Sequence, residues 1–160
     1  TITRIIADGD VSFSDQSHEG RGRKLDYDAT SLTYVLNGPD AVILGPDGSG
    51  KAEQTITFNR TVQLVELVKN AEIQLNDGRR VSGQEIIIYL DDADNISRIT
   101  ATGYVTIMQA NGSTATANKI DYNRADNSAL LTGNVAVEDA GERPRFWAGK
   151  QLRGILLQHS

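Results

Sequence analysis

A glycine-rich segment of this sequence has the spacing of a nucleotide-binding loop. Residues Gly45 to Lys51, GPDGSGK, fit the first seven positions of the phosphate-loop pattern G-x-x-x-x-G-K-[ST], in which backbone amides and the lysine bind phosphates. The eighth position is Ala52 rather than the serine or threonine that binds magnesium, and the strand-like segment 54–58 follows where a helix should begin. We therefore interpret the segment as a glycine-rich β-turn between two strands.

An acidic run, Asp91–Asn95, could supply the several oxygen ligands that calcium takes from one loop. An EF-hand loop would continue with Asp or Asn and then glycine, whereas this chain has Ile96 and Ser97. We interpret the run as a solvated turn between Tyr89 and Ile99, with weak divalent binding left as an alternative.

Residues for nucleophilic or metal-dependent catalysis are few. The two histidines, His18 in a polar turn and His159 near the end, do not form a pair at metal or catalytic spacing. The sequence contains no cysteine and no G-x-S-x-G motif. We therefore expect binding rather than catalysis, with no cofactor and no metal.

Composition and charge are those of a folded domain that does not bind nucleic acid. The chain has 160 residues, of which 39% are hydrophobic and 23% charged, with a net charge of −5. Nucleic-acid binding requires clustered Lys and Arg to replace counterions. No apolar run approaches the roughly 20 residues of a membrane helix. The start at Thr1 is typical of a mature or trimmed chain, so we expect a signal peptide or anchor upstream.

The basic residues form small groups that have two interpretations. They would either be solvated strand edges that prevent aggregation or a rim that meets anionic headgroups or the acidic edge of a partner. Phe146 and Trp147 would either cap a core or anchor an interface. The basic groups are Arg21, Arg23 and Lys24; Arg79 and Arg80; and Arg143, Arg145, Lys150 and Arg153.

Four aromatics recur at a nearly fixed interval, which indicates a stacked repeat. Tyr27, Phe58, Tyr89 and Tyr122 each close a short β-type segment, at intervals of 31, 31 and 33 residues. We predict that the four side chains lie in register along one apolar trough. The repeat units are predicted at 6–38, 39–70, 71–103 and 104–133, with a partial terminal unit at 134–160.

Alternation of apolar and polar residues within the units predicts strands. Val105 alternates with Ile107, and Val135 with Val137, as in strands with one buried face. Residues 61–69 could form a helical face, but their β-branched residues and their place in the repeat favour a strand. Three strands per unit give a dozen or more short antiparallel strands, which predicts an all-β sandwich, jelly roll or solenoid with edges open to pairing.

Three segments together resemble the periplasmic lipopolysaccharide-transport proteins of the LptA/OstA type. Those proteins repeat a G-x-V-x-I strand, an A-x-A-x-x-x-x-Y strand and an L-T-G-N-V-x-V strand. The corresponding segments here are GYVTI at 103–107, ATANKIDY at 115–122 and LLTGNVAV at 130–137. The likeness is strongest over residues 97–139 and looser from 6 to 90, and it departs at 38–42 and over 142–160.

The resemblance implies one OstA-like β-jelly-roll domain over residues 1–160 whose apolar interior holds lipid acyl chains. It also implies a periplasmic location, lipopolysaccharide as ligand, and edge-to-edge pairing with itself or with LptC-type and LptD-type jelly-roll domains. The inward repeat positions that would line the groove are Val11, Phe13, Tyr27, Val42, Phe58, Ile73, Val105, Ile107, Tyr122, Val135 and Val137.

Four alternatives remain at this point. The chain could be the periplasmic domain of an LptC-type membrane partner, or the N-terminal domain of an LptD-type acceptor. It could instead be a structural β-solenoid that functions only in adhesion or assembly and has a dry interior. An enzyme is the last alternative, since it would need a buried, paired set of titratable residues in a cleft.

Overall fold

Antiparallel β-strands form the whole of the described structure, and the predicted all-β class is confirmed. The structure is a computed structural model that describes residues 1–138 and the strand backbone at 144–145 and 151–153. Within these residues there is no helix, and hence none that could cross a membrane. The strands are β1 Arg4–Asp15, β2 His18–Asp28, β3 Thr33–Asn37, β4 Ala41–Gly45, β5 Gly48–Ala52, β6 Thr55–Asn59, β7 Leu64–Leu75, β8 Arg80–Leu90, β9 Ile96–Met108, β10 Thr114–Asn123, β11 Ser128–Thr132, β12 Ala136–Glu138, β13 Pro144–Arg145 and β14 Gln151–Arg153.

The long strands β1, β2 and β7 to β10 each belong to two layers. One half of β10 pairs with β11 and the other half with β12, and the halves of β2 and β7 likewise pair with different short strands. The first layer contains β3, β6 and β11, and the second contains β4, β5 and β12. The layers pack face to face, since Phe13 of the second stacks on Tyr34 of the first with ring centroids 4.2 Å apart. This is a two-layer jelly roll.

The G-x-V repeats mark the points where strands change layer. Gly9-Asp10 and Gly103-Tyr104 each have two successive residues with positive φ, 82° and 47° in the first pair and 81° and 52° in the second. The ladders shift register at these places, as in β-bulges. Glycine adopts this backbone without steric cost. The bend returns the following valine to the interior, where Val105 is 2% exposed.

Two rows of cross-strand neighbours form the core of the first layer. The two rows run through successive strands in unbroken register. Tyr27, Phe58 and Tyr122 lie in the second of them, as predicted. The first row is Leu25, Leu36, Ile56, Leu67, Ile86, Ala101, Ile120 and Leu131; the second is Tyr27, Tyr34, Phe58, Val65, Ile88, Ile99, Tyr122 and Ala129.

The prediction that Tyr89 shares this row is wrong. Ile88 takes the row position, paired with Val65 and Ile99, while Tyr89 lies on the outer face beneath the guanidinium of Arg98, 5.2 Å from its ring centroid. The segment 86–88 is a run of three isoleucines, so its sequence does not distinguish the two faces. The aromatic residue of this unit therefore lies one position after the residue that faces the interior.

The strand predicted over 61–69 is correct only in its second part. Residues 60–63 form the turn between β6 and β7, and Gln63 has a φ of 56°. The strand begins at Leu64 and alternates buried and half-buried residues up to Val68. No helix forms there, which agrees with the β-branched composition.

Gly103→Ala should lower the free energy of unfolding by about 1–3 kcal/mol. Alanine is strained in the left-handed backbone conformation of this position, and its Cβ would also clash with a neighbouring side chain. A Cβ at position 103 would lie 2.8 Å from the Cβ of Gln84. Gly9→Ala is the matched control, since its φ is also positive but nothing lies within 4 Å of an added Cβ. Urea denaturation of both variants measures the difference, and equal losses would contradict the steric part of this account.

Candidate functional site

The predicted groove residues fall into three groups by exposure. Seven are buried between the layers, three are half-buried on the inward face near the β1 end, and one faces outward. The buried residues are Phe58, Ile73, Val105, Ile107, Tyr122, Val135 and Val137; the half-buried ones are Val11, Phe13 and Tyr27; the outward one is Val42.

Val42 does not line the interior, which corrects its assignment as an inward position. It lies between Ala41 and Ile43, which are 0% and 4% exposed, so the strand alternation turns its side chain to the outer face. Ile43 takes the interior position, in register with Gly20 and Gly50. The segment Ala41–Leu44 is uniformly apolar, so period-two alternation could not indicate its inward face.

The interior is closely packed in this conformation. The void beside Ile43, Val65 and Ile73 measures about 30 Å³, and the one beside Ile107 and Tyr122 about 10 Å³. A buried water molecule needs about 10–15 Å³ by this measure, so the two voids have room for about one or two water molecules. An acyl chain would therefore have to separate the two layers to occupy the interior.

Aromatic rings fill the interior at the β1 end. Phe13 stacks on Tyr34, and Tyr34 stacks on Tyr27 at 4.4 Å between centroids. Beyond them Ile5, in register with Tyr27, is 47% exposed. Among the described residues β1 pairs only with β2, so its other edge is unpaired, and Ile5 and Ile6 are exposed on this strand. The interior thus reaches the surface at this end.

A polar seam closes the long side of the molecule, where turns at the free ends of the two layers meet. The seam is formed by turns 15–18, 45–48 and 75–80 of the second layer and by turns 59–64, 90–96 and 123–128 of the first. Three groups of contacts cross it, and they differ in strength.

The first seam contact is a network around Arg60. Its Nη1 and Nη2 atoms donate to the carboxylate of Asp94 within the first layer at 2.6 and 2.9 Å, and its Nε donates across the seam to Asp15 at 3.4 Å. Ser17 donates to Asp94 across the seam at 2.7 Å, and the Tyr34 hydroxyl donates to Asp15 at 2.8 Å. The hydrogen bond from Arg60 holds the pKa of Asp94 below its ordinary value. Arg60 is only 13% exposed, so removing it would leave the buried carboxylates of Asp94 and Asp15 without a cation.

Asp94 corrects the interpretation of the acidic run. Residues 91–95 do form the turn between β8 and β9, but Asp94 is buried rather than solvated. Its partner Arg60 lies 34 residues earlier in the sequence. No spacing within the run indicates this pairing.

His18 lies beside this network and is buried rather than in a polar turn. Its ring packs 4.9 Å from that of Phe58, and the side chain is 4% exposed. Burial lowers the pKa of His18, against the opposing effect of Asp94. A lone histidine among polar residues gave no sequence signal for this position.

The second seam contact is centred on Asp47. One carboxylate oxygen accepts from the backbone N–H of Ile96 at 2.6 Å and from Nη1 of Arg124 at 3.1 Å. Asp47 lies in the tight turn between β4 and β5, so the phosphate-loop-like segment is a glycine-rich turn between two strands, as predicted. No helix follows it to bind a nucleotide phosphate.

The third seam contact is the weakest. The Arg79 guanidinium lies 5.4 Å from the ring centroid of Tyr122, and its Nη1 reaches Asn127 at 3.5 Å. Its carboxylate partner, Asp77, lies on the same turn and does not cross the seam. A cation–π contact contributes about 0.5–2 kcal/mol, whereas removing one partner of a buried ion pair costs roughly 3–5 kcal/mol.

The remaining basic and aromatic candidates are divided by the structure. Arg79 belongs to the seam, and the Arg23 guanidinium lies 3.9 Å from Asp10 at an exposed edge. The side chains of Arg143, Arg145, Phe146, Trp147, Lys150, Arg153 and His159 lie outside the described residues.

Arg60→Leu should lower the free energy of unfolding by about 3–5 kcal/mol, because it leaves Asp94 and Asp15 without their buried cation. Arg98→Leu is the matched control: its bidentate partner is Asp121, but Arg98 is 47% exposed, so the expected loss is about 0–1 kcal/mol. Chemical denaturation measures both values. Similar losses of unfolding free energy for the two variants would contradict the larger stabilising contribution of Arg60.

The stability of the protein should decrease as the pH falls below about 6.5, because the unfolded chain protonates His18 at its ordinary pKa before the folded protein does. His18→Gln should flatten the curve between pH 6.5 and about 4, below which carboxylates such as Asp94 begin to titrate. The test is the denaturant concentration at half-unfolding, measured across this pH range for the unaltered protein and for His18→Gln. Both proteins retain His159. An unaltered slope in the variant would contradict the role of His18.

Comparison with known proteins gives a structural match but no sequence match. No protein-family model matches the chain, and no curated protein matches its sequence. Among solved structures, the chain is similar to LptH from Pseudomonas aeruginosa, described as the LptA-homologous periplasmic component of the conserved lipopolysaccharide transport device. The match covers 95% of this chain and 94% of LptH, with a TM-score of 0.56 and 14% identity. The chain therefore has the fold of an LptA-like jelly roll.

Proposed function

We propose that this protein binds the acyl chains of lipopolysaccharide between its two layers and transfers the lipid in the periplasm, as part of a bridge from the inner to the outer membrane. The observation that carries the proposal is the unbroken apolar interior that reaches the surface beside Ile5 and Tyr27. The likeness to LptH supports it.

Binding of this kind requires no covalent step. Burial of acyl chains gains roughly 0.8 kcal/mol per methylene, and a neighbouring interior of the same chemistry would offer the same gain. The lipid can then pass between similar interiors with a small change in free energy. Direction would come from an energy-using membrane partner.

The inward residues are the proposed lipid contacts, with Ile43 in place of Val42. Phe13 and Tyr27 lie where the interior is accessible, and Ile107 and Tyr122 lie deeper, where the layers must part. An acyl chain that enters would replace apolar contacts between the layers with apolar contacts to the lipid. The interior side chains would therefore stay shielded from water.

The unpaired edge of β1 supports pairing with another jelly-roll domain. An edge strand offers free N–H and C=O groups to a partner strand. Ile2 and Ile6 add exposed apolar area there, at 71% and 54% exposure. We propose a second copy of this chain, or a related LptC-type or LptD-type domain, as the partner. The protein would itself be an LptC-type or LptD-type domain if its natural sequence continues into an anchor or a barrel.

The close packing favours one other function, that of a structural β-module without lipid. Voids of about 30 and 10 Å³ are those of a dry core. The two functions differ in whether the layers separate in the presence of lipid.

Photocrosslinking distinguishes them. A benzophenone amino acid in place of Tyr122 should crosslink to lipopolysaccharide, whereas the same residue in place of Tyr89 is the matched control on the outer face. We expect at least tenfold more adduct at position 122, measured on gels after irradiation with purified lipopolysaccharide. Equal labelling at both positions, or none at 122 in a folded variant, would contradict the lipid-binding proposal.

A further inference from the structure

The third seam contact, between Arg79 and Tyr122, lies beside a polar cup at the surface. The cup has a volume of about 210 Å³ and lies between turn 75–80 and turn 123–128. Its lining is Asp47, Leu75, Asn76, Asp77, Arg79, Ile96, Tyr122 and Arg124. The cup adjoins the apolar interior and holds two arginines, each paired with an aspartate of the same cup, Arg79 with Asp77 and Arg124 with Asp47. The anionic head of an amphiphile would bind the guanidinium N–H groups that these pairs leave free.

The cup and the interior share one wall. Leu75, Arg79 and Tyr122 line both the cup and the void of about 10 Å³ behind it, where Val81, Ile99, Ile107 and Ile120 complete the lining. The Arg79–Tyr122 contact is therefore the barrier between water and the interior at this point. It is also the seam contact without an ion pair across the seam, so the layers part here most easily.

The arginines retain hydrogen-bonding capacity toward an anion. Within the described residues, Arg124 donates from Nη1 alone, to Asp47 and to the backbone oxygen of Ile96, and its side chain is 50% exposed. Arg79 bonds Asp77 closely but reaches Asn127 only at 3.5 Å. A phosphate can take up the free N–H groups in the bidentate geometry that guanidinium favours.

We propose that this cup is the portal through which a phosphorylated acyl lipid enters the interior. Arg79 and Arg124 bind the phosphate, and Arg79 leaves the Tyr122 ring as it does so. An acyl chain then passes between Leu75 and Tyr122 to Ile99, Ile107 and Ile120. The inference rests on the proposed lipid-binding function and adds to it the route and the headgroup chemistry.

The test measures loading of two lipids that differ only in the phosphate. Phosphatidic acid and diacylglycerol with the same environment-sensitive fluorescent acyl chain are presented in phosphatidylcholine vesicles, and the rate of fluorescence increase is followed. Arg79→Gln with Arg124→Gln should slow loading of phosphatidic acid at least tenfold without slowing diacylglycerol. Arg98→Gln is the control, since Arg98 makes the same kinds of contact on the outer face.

A clamp across the portal tests the route itself. The chain has no cysteine, so Asp77→Cys with Asn127→Cys introduces the only two thiols, at positions that contact the same guanidinium. Linking them with a short bismaleimide should slow loading of both lipids at least tenfold relative to the unlinked variant. The control clamp, Ser17→Cys with Ala93→Cys, lies at the first seam contact and should leave the rates within twofold.

The outcomes separate the portal from the function. Undiminished loading through a clamped cup would overturn the portal while leaving lipid binding intact. Equal slowing of both lipids by the arginine substitutions would overturn the phosphate contact. If the unaltered protein loads neither of these lipids and yields no lipopolysaccharide adduct at Tyr122, the proposed function fails and the portal with it.

Discussion

The structure depends on one backbone constraint: the long strands can serve two layers only by bending sharply within a continuous ladder. Pairs of residues with positive φ supply the bend at Gly9-Asp10, Lys69-Asn70 and Gly103-Tyr104. A strand that bends in this way keeps its hydrogen bonds on both sides of the bulge. Each long strand therefore contributes one half to each layer, and the bend brings the apolar faces of the two layers together.

The bend fixes where the layers meet and leaves their far ends to be joined by side chains. At the bulges the layers are covalently continuous, whereas along the seam only turns face each other. The first two seam contacts each include an ion pair across the seam, Arg60 with Asp15 and Arg124 with Asp47, whereas the third is the cation–π contact of Arg79 with Tyr122. The proposed opening of the seam begins at this third contact. Such opening would reconcile a closely packed interior with the binding of a long apolar ligand.

The proposed function uses the interior and its two boundaries. The β1 end exposes apolar side chains and an unpaired strand edge, which suits another protein domain. The seam presents charges above the same interior, which suits an amphiphile. Lipid binding and transfer is the function proposed for this arrangement.

The sequence alone indicated most of the strands and turns, because period-two alternation and glycine positions are local properties of the chain. It also placed Tyr27, Phe58 and Tyr122 in one row. It could not orient Val42 or Tyr89, since both follow or lie within uniformly apolar runs in which either face could be inward. The contacts of the seam became evident only from the tertiary structure, in which Ser17 donates a hydrogen bond to Asp94, 77 residues later in the sequence. Contacts between distant turns depend on how far each strand bends, and no local pattern records that.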